Sequence, residues 1–195
     1  MAAQRSVDPR AGRTLAALER ALIELAAHSS PSDVTVAEVC RVAGLHRTTF
    51  YKHFDTVSAL SCSLMDDLLA TVAAPVQVDS RGVGDYASWL TRLVDHVVEN
   101  RSLYGLFLGP TGDHTATRTV CDSLIRRAEE IVATAHDHGI HTDLDSRTAA
   151  RLLGFSSYGL IESILTLHDL DVPGTVDAFV AGLPAMWRPV LASAR

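Results

Sequence analysis

Apolar residues recur at three- and four-residue steps along almost the whole chain, the spacing that builds one face of a helix. Long alternating runs rich in Val, Ile, Thr and aromatics, which mark strands, are nearly absent. Leu15, Leu18, Leu22 and Leu25 form one stripe and predict a helix over 9–28, capped by Asp8 with Pro9 at its first position. Gly12 weakens its first turn and offers Thr14 as a later start. SSPSD, 29–33, reads as a loop. Thr35 and Glu38 then form a capping box that opens a short helix ending at Gly44. A second short helix runs from Arg47 to about His53. Asp55-Thr56 opens a longer one, with Leu60, Leu64 and Leu68 on one face. AAPVQVDSRGVG, 73–84, is a break rich in turn formers. Beyond it the pattern predicts helices over 85–99, 102–108, 114–138, 145–167 and 175–193. The fold class is all-α: a small three-helix head on a larger helical body.

Composition narrows the setting. At 47% hydrophobic residues the chain is too apolar for disorder, and no apolar run approaches the ~20 residues of a membrane span. The N-terminal MAAQRSVDPRAGR lacks the apolar core of a secretory signal and reads as a flexible basic arm. Cys40, Cys62 and Cys121 are odd in number, far apart and free of any CxxC spacing. They argue against a disulfide framework or zinc ribbon and predict a reducing, cytoplasmic setting. The net charge of -6 hides an asymmetry: residues 1–60 carry seven basic and six acidic side chains, and the remainder carries ten and seventeen. Attraction to a polyanion therefore belongs to the N-terminal third. The expected division is a head over 1–60 and a body over 61–195, with the helix from about 56 linking them.

Two short helices joined by a glycine turn form a helix-turn-helix. Val39 and Val42 point into the head, Cys40 sits where the helices approach, and Gly44 supplies the positive φ of the turn. Leu45 covers the core, while Phe50 and Phe54, four apart, hold the second helix from its inner face. His46, Arg47, Thr48, Thr49, Tyr51, Lys52 and His53 remain, and none of them is needed for packing. They form a donor set suited to base edges and phosphate oxygens. The guanidinium of Arg47 fits guanine, Thr48 and Thr49 fit a phosphate or a thymine methyl, and Tyr51 and Lys52 fit phosphate. Thr35, at a helix N-terminus, offers its N–H and hydroxyl to a further phosphate. The plainer alternative is the solvated polar face of a small helix pair.

TVAEVCRVAGLHRTTFYKHFDTVSAL, 35–60, resembles the DNA-binding signature of the TetR family of transcriptional regulators. Val39-Cys40 takes the place of Ile-Ala in that signature and Ala43-Gly44-Leu45 that of Ala-Gly-Val; Thr49-Phe50-Tyr51 and Phe54 match it fully. His46 departs from it by standing where the family often caps the recognition helix with Ser or Thr, which assigns its ring to a phosphate or base instead. Val57 stands where a lysine frequently grips phosphate, leaving Arg5, Arg10 and Arg13 to compensate. The resemblance implies a homodimer on a double-stranded, palindromic DNA operator, repressing nearby genes until a small molecule relieves it.

In the body, 148–169 carries Leu152, Phe155, Ile161, Ile164 and Leu165 as a broad apolar face interleaved with small residues. The last predicted helix carries Phe179, Leu183, Met186, Trp187 and Val190 at helical spacing. Both are similar to the family's four-helix dimer interface, where Leu152, Ile161, Leu165, Phe179, Leu183, Met186, Trp187 and Val190 would pair; ordinary core helices are the alternative. Met65, Leu69, Trp89, Leu93, His96, Tyr104, Phe107, Cys121, Ile125, Phe155 and Tyr158 are candidates for an apolar effector pocket, with Trp89, His96 and Tyr158 as polar handles. Plain core is the alternative for each. His136, His138 and His141 cluster near Asp137 and Asp143, but His136 and His138 are two apart and face different sides of a helix, so no metal site is assigned. No cofactor or catalytic motif is present, and the expected class is non-enzymatic. The competing class is a helical adaptor or small-molecule binder that never touches DNA.

Overall fold

The computed structural model describes residues 9–72, 84–137 and 144–182, and their regular structure is entirely helical. Helix α1 (Pro9–Ala26) buries Leu18, Ala21, Leu22 and Ala26 along the stripe that its leucine spacing predicts. The expected loop after it contains a 3-10 turn, Pro31–Asp33, because the Ser30 hydroxyl accepts from the Ser32 N–H and Pro31 already has the φ of a first helical residue. Helices α2 (Val36–Ala43) and α3 (Arg47–Phe50) complete the head. Residues 51–53 continue α3 as turns rather than as the regular helix expected up to His53.

Helix α4 (Val57–Ala70) is opened by Thr56, whose hydroxyl accepts from the Ala59 N–H at 3.0 Å. It packs on α1 and on the 3-10 turn at one end and on α7 at the other, so it belongs to head and body alike. Its buried Ser61 returns its hydroxyl to the Val57 carbonyl. A second link joins the two parts: Ser30 Oγ donates to the Thr111 carbonyl at 2.6 Å and Ser32 Oγ to the Gly112 carbonyl at 3.2 Å. One continuous apolar core runs from Leu18 and Phe50 through Leu60 and Phe107 to Ile161 and Val176.

The body comprises α5 (Gly84–Glu99), α6 (Arg101–Leu108), α7 (His114–Asp137), α8 (Ser146–Thr166) and α9 (Val172–Gly182). Asp113 caps α7 through the Thr115 N–H at 2.8 Å, and Asp145 caps α8 through the Thr148 N–H at 3.0 Å. Arg101 answers the orphaned carbonyls at the other end of α8, reaching Leu165 O at 3.5 Å and Leu167 O at 3.3 Å. Tyr86 on α5 and Ser157 on α8 share a buried hydroxyl pair at 3.1 Å. Burial pushes the Tyr86 hydroxyl up to about 12. Helix α9 begins at Val172, earlier than the expected 175, since Pro173 falls in its first turn, where a missing N–H costs nothing. Its expected extension to 193 lies outside the described residues. Among those residues, no helix is long and apolar enough to cross a membrane.

Candidate functional site

The turn between α2 and α3 is fixed by the backbone before any side chain acts. Gly44 takes φ 67° and ψ 32°, in the left-handed region that favours glycine. Leu45 N–H then donates to the Cys40 carbonyl at 2.9 Å and Gly44 N–H to the Arg41 carbonyl at 3.4 Å. This paired closure satisfies the last carbonyls of α2 and turns the chain sharply into α3. Phe50 is fully buried and meets the half-buried Phe54 at a tilt, their ring centroids 6.0 Å apart. The short helix is therefore held from its inner side by apolar contact.

Its outer side is left to solvent. His46, Arg47, Thr48, Tyr51, Lys52 and His53 are exposed and Thr49 is half-buried. Tyr51 meets Phe50 edge-on at 5.6 Å while remaining 56% exposed. His46 occupies the cap position of α3 with extended backbone and makes no side-chain cap bond, so its ring is not committed to the helix. Thr35 makes the expected capping box with Glu38. Its N–H donates to Glu38 Oε2 at 2.9 Å and its hydroxyl to the same oxygen at 2.7 Å, so both donors expected to grip a phosphate are held by a carboxylate of the chain itself. Those hydrogen bonds hold the Glu38 carboxyl below its usual range. Val57 is buried rather than outward, while Arg10 and Arg13 at the start of α1 are exposed; Arg5 lies outside the described residues.

Between α4, α5 and α7 lies a cleft of about 290 Å³. Leu69, Trp89 and Leu93 line it as expected residues, and Leu124 extends its apolar wall. Its rim is polar. Arg126 donates to Ser123 Oγ at 2.8 Å, Ser123 donates to Asp66 at 2.7 Å, and Arg127 pairs with Glu130 at 3.0 Å. These rim residues were not legible as site residues, although Ser123, Arg126, Arg127 and Glu130 recur at three- and four-residue steps along one side of α7. Met65, Tyr104, Phe107, Cys121 and Ile125 are buried in the core away from the cleft lining, and His96 and Tyr158 are half-buried. Tyr158 hydrogen-bonds Thr117, and burial raises its hydroxyl pKa. Phe155, expected in the pocket, stands 47% exposed, because its phase on α8 is opposite to that of Leu153, Leu160 and Ile164.

The same phase divides the expected dimer face. Leu152 is 47% exposed beside Phe155, Ser156 and Gly159. Ile161, by contrast, is fully buried within the chain, and Leu165 and Phe179 are half-buried against its core. Leu183, Met186, Trp187 and Val190 lie outside the described residues, as do His138 and His141. Among the described residues no group of His, Cys, Asp and Glu is placed to hold a metal ion.

No protein-family model matches the chain, and no curated protein matches its sequence. Solved structures do match it. NalD, the secondary repressor of the MexAB-OprM multidrug efflux pump in Pseudomonas aeruginosa, is 18% identical with a TM-score of 0.59, over 96% of this chain and 100% of NalD. GusR of Salmonella enterica is 21% identical with a TM-score of 0.57, over 92% of this chain and 98% of GusR. A TetR transcriptional regulator from Rhodococcus sp. RHA1 is 17% identical with a TM-score of 0.51, over 91% of this chain and 100% of that regulator. The chain has the TetR-family fold. At such identities the likeness is one of architecture, and within this TetR-type fold the candidate residues fall into three places. The exposed donors stand on α3, the cleft opens between α4, α5 and α7, and the exposed apolar stripe lies on α8.

Proposed function

We propose that this chain is a TetR-family transcriptional regulator, a sequence-specific DNA-binding protein that responds to a small molecule. The observation that carries the reading is the division of labour on α3. Phe50 alone is fully buried there, and Arg47, Thr48, Tyr51, Lys52 and His53 project from it or from the turn that follows as exposed donors. Arg47 reads a base edge, Thr48, Tyr51 and Lys52 hold phosphates, and Thr49 and His46 complete the contact. The acidic body faces away from DNA, which is why the charge asymmetry follows the chain order.

One head spans one half-site, so two copies read a palindromic operator. The exposed stripe of Leu152, Phe155, Ser156 and Gly159, together with the C-terminal segment carrying Trp187, forms the homodimer face. The head comprises 1–60 and the effector-binding and dimerisation body 61–195. A small apolar or aromatic effector occupies the cleft of α4, α5 and α7. Because α4 runs from the cleft to the head, a ligand that moves it re-aims α3 and releases the operator, so the protein acts as a repressor in the cytoplasm. The protein is not an enzyme.

The test is binding of the dimer to DNA from upstream of its own coding sequence. Selective binding that weakens steeply with salt supports the reading. Equal binding to scrambled DNA, or none at all, favours a helical adaptor instead.

A further inference from the structure

The charges that line the cleft are unequal in depth. Among the described residues Asp66, Arg126, Arg127 and Glu130 line it, and Arg127 alone of these four is not exposed. In the ion pair on the α7 wall, the Arg127 side chain is 11% exposed and its partner Glu130 is 56% exposed. The cation is sunk in the wall while the carboxylate stands in water. A desolvated guanidinium is costly, and a carboxylate that stays half in water offsets the cost only in part.

The other charges of the lining lie outside this one. Arg126 donates at 2.8 Å to the neutral hydroxyl of Ser123, and that hydroxyl donates at 2.7 Å to Asp66. Both acids therefore sit at the mouth, and the charge set furthest inward is positive.

Beside that cation the wall is apolar. Leu69 comes from α4, Trp89 and Leu93 from α5, and Leu124 from α7. Trp89, Leu93 and Leu124 are almost fully buried. Leu124 and Arg127 are three apart, so one face of α7 presents an apolar patch and, a turn later, the guanidinium. At about 290 Å³ the cleft lies at the small end of ligand pockets, ~300–1,000 Å³, which suits one ring with a short chain.

We propose that the effector is a small amphipathic acid, an apolar or aromatic skeleton that ends in a carboxylate. The skeleton lies against Leu69, Trp89, Leu93 and Leu124. The carboxylate takes the place of Glu130 on Arg127, where a planar guanidinium can hold it with two parallel hydrogen bonds, and Arg126 supplies the second cation. Glu130 gives up its place readily, because more than half of its side chain is already in water. A neutral ligand cannot replace a carboxylate there, and a cation would meet Arg127 with like charge. This rests on the cleft being the effector site.

Three probes share one skeleton: 3-phenylpropionate, benzylacetone and 3-phenylpropylamine, which are anionic, neutral and cationic at neutral pH. Each is titrated calorimetrically into the full chain, into Glu130→Gln and into Arg127→Gln. Phenylpropionate is expected to bind about tenfold tighter than benzylacetone, a gap of about 1.4 kcal/mol, with the amine weakest. Glu130→Gln removes the competing carboxylate at an exposed position and should widen the acid-to-ketone ratio by about threefold. Arg127→Gln should bring that ratio close to unity; if circular dichroism shows that this variant does not fold, the Glu130→Gln ratio decides alone. Ketone or amine binding as tightly as the acid overturns the proposal and leaves the cleft as the effector site. A ratio that persists in folded Arg127→Gln, or that fails to rise in Glu130→Gln, overturns it too. If none of the three binds, the effector site itself is misassigned and the proposal falls with it.

Discussion

A Cβ built on Gly154 would stand 2.8 Å from both the Cα and the backbone nitrogen of Ile125, so α7 and α8 cross where only a glycine fits. The obstruction is main chain, which cannot rotate away as a side-chain tip can. Gly154→Ala should therefore destabilise the protein by about 1–3 kcal/mol, read as a lower urea midpoint with an unchanged slope. Gly159 has open space around the same position. Gly159→Ala should leave the midpoint of the isolated chain equal or higher, because alanine is the better helix former.

The exposed α8 stripe predicts assembly. Phe155→Glu places a charge at the centre of the apolar patch that it shares with Leu152 and should yield folded monomers by sedimentation. A variant that still sediments as a dimer would remove α8 from the interface.

Two helix caps set the acid response. Hydrogen bonds from Thr35 hold the Glu38 carboxyl below its ordinary range, and those from Thr148 do the same for Asp145. A lowered folded-state pKa favours the fold above the unfolded value, and the gain disappears as pH falls through the folded value. The amides of Thr35 and Thr148, which donate to these two carboxylates, should lose exchange protection below about pH 4, before the α7–α8 core does. At the other end, the hydroxyl shared by Tyr86 and Ser157 is held neutral. Its contribution is complete below pH 10.0 and is lost as pH rises toward about 12. Tyr86→Phe should flatten that alkaline loss.

The head was legible because its signals are local. A capping box, a turn glycine and two aromatics four apart fix α2 and α3 within twenty residues, and the exposed donors are what packing leaves over. The cleft was only partly legible. Leu69, Trp89 and Leu93 announce themselves as apolar, whereas Ser123, Arg126 and Arg127 look like any solvated helix face until α4 is laid against α7. Phe155 and Ile161 show the limit of periodicity: both are apolar on one helix, yet a difference of about 120° in phase sends one outward and one into the core. Thr35 shows the reverse: its capping box with Glu38 is legible in the sequence, and it occupies the same donors that a phosphate contact would need.

The central claim is that α3 reads DNA sequence through Arg47, and fluorescence anisotropy with two labelled duplexes tests it most directly. One duplex carries the region upstream of the coding sequence and the other the same bases shuffled. Arg47→Ala should weaken binding to the first by about 1–3 kcal/mol and leave binding to the second nearly unchanged, so that selectivity collapses. Selectivity equal to that of the unaltered protein would contradict the account.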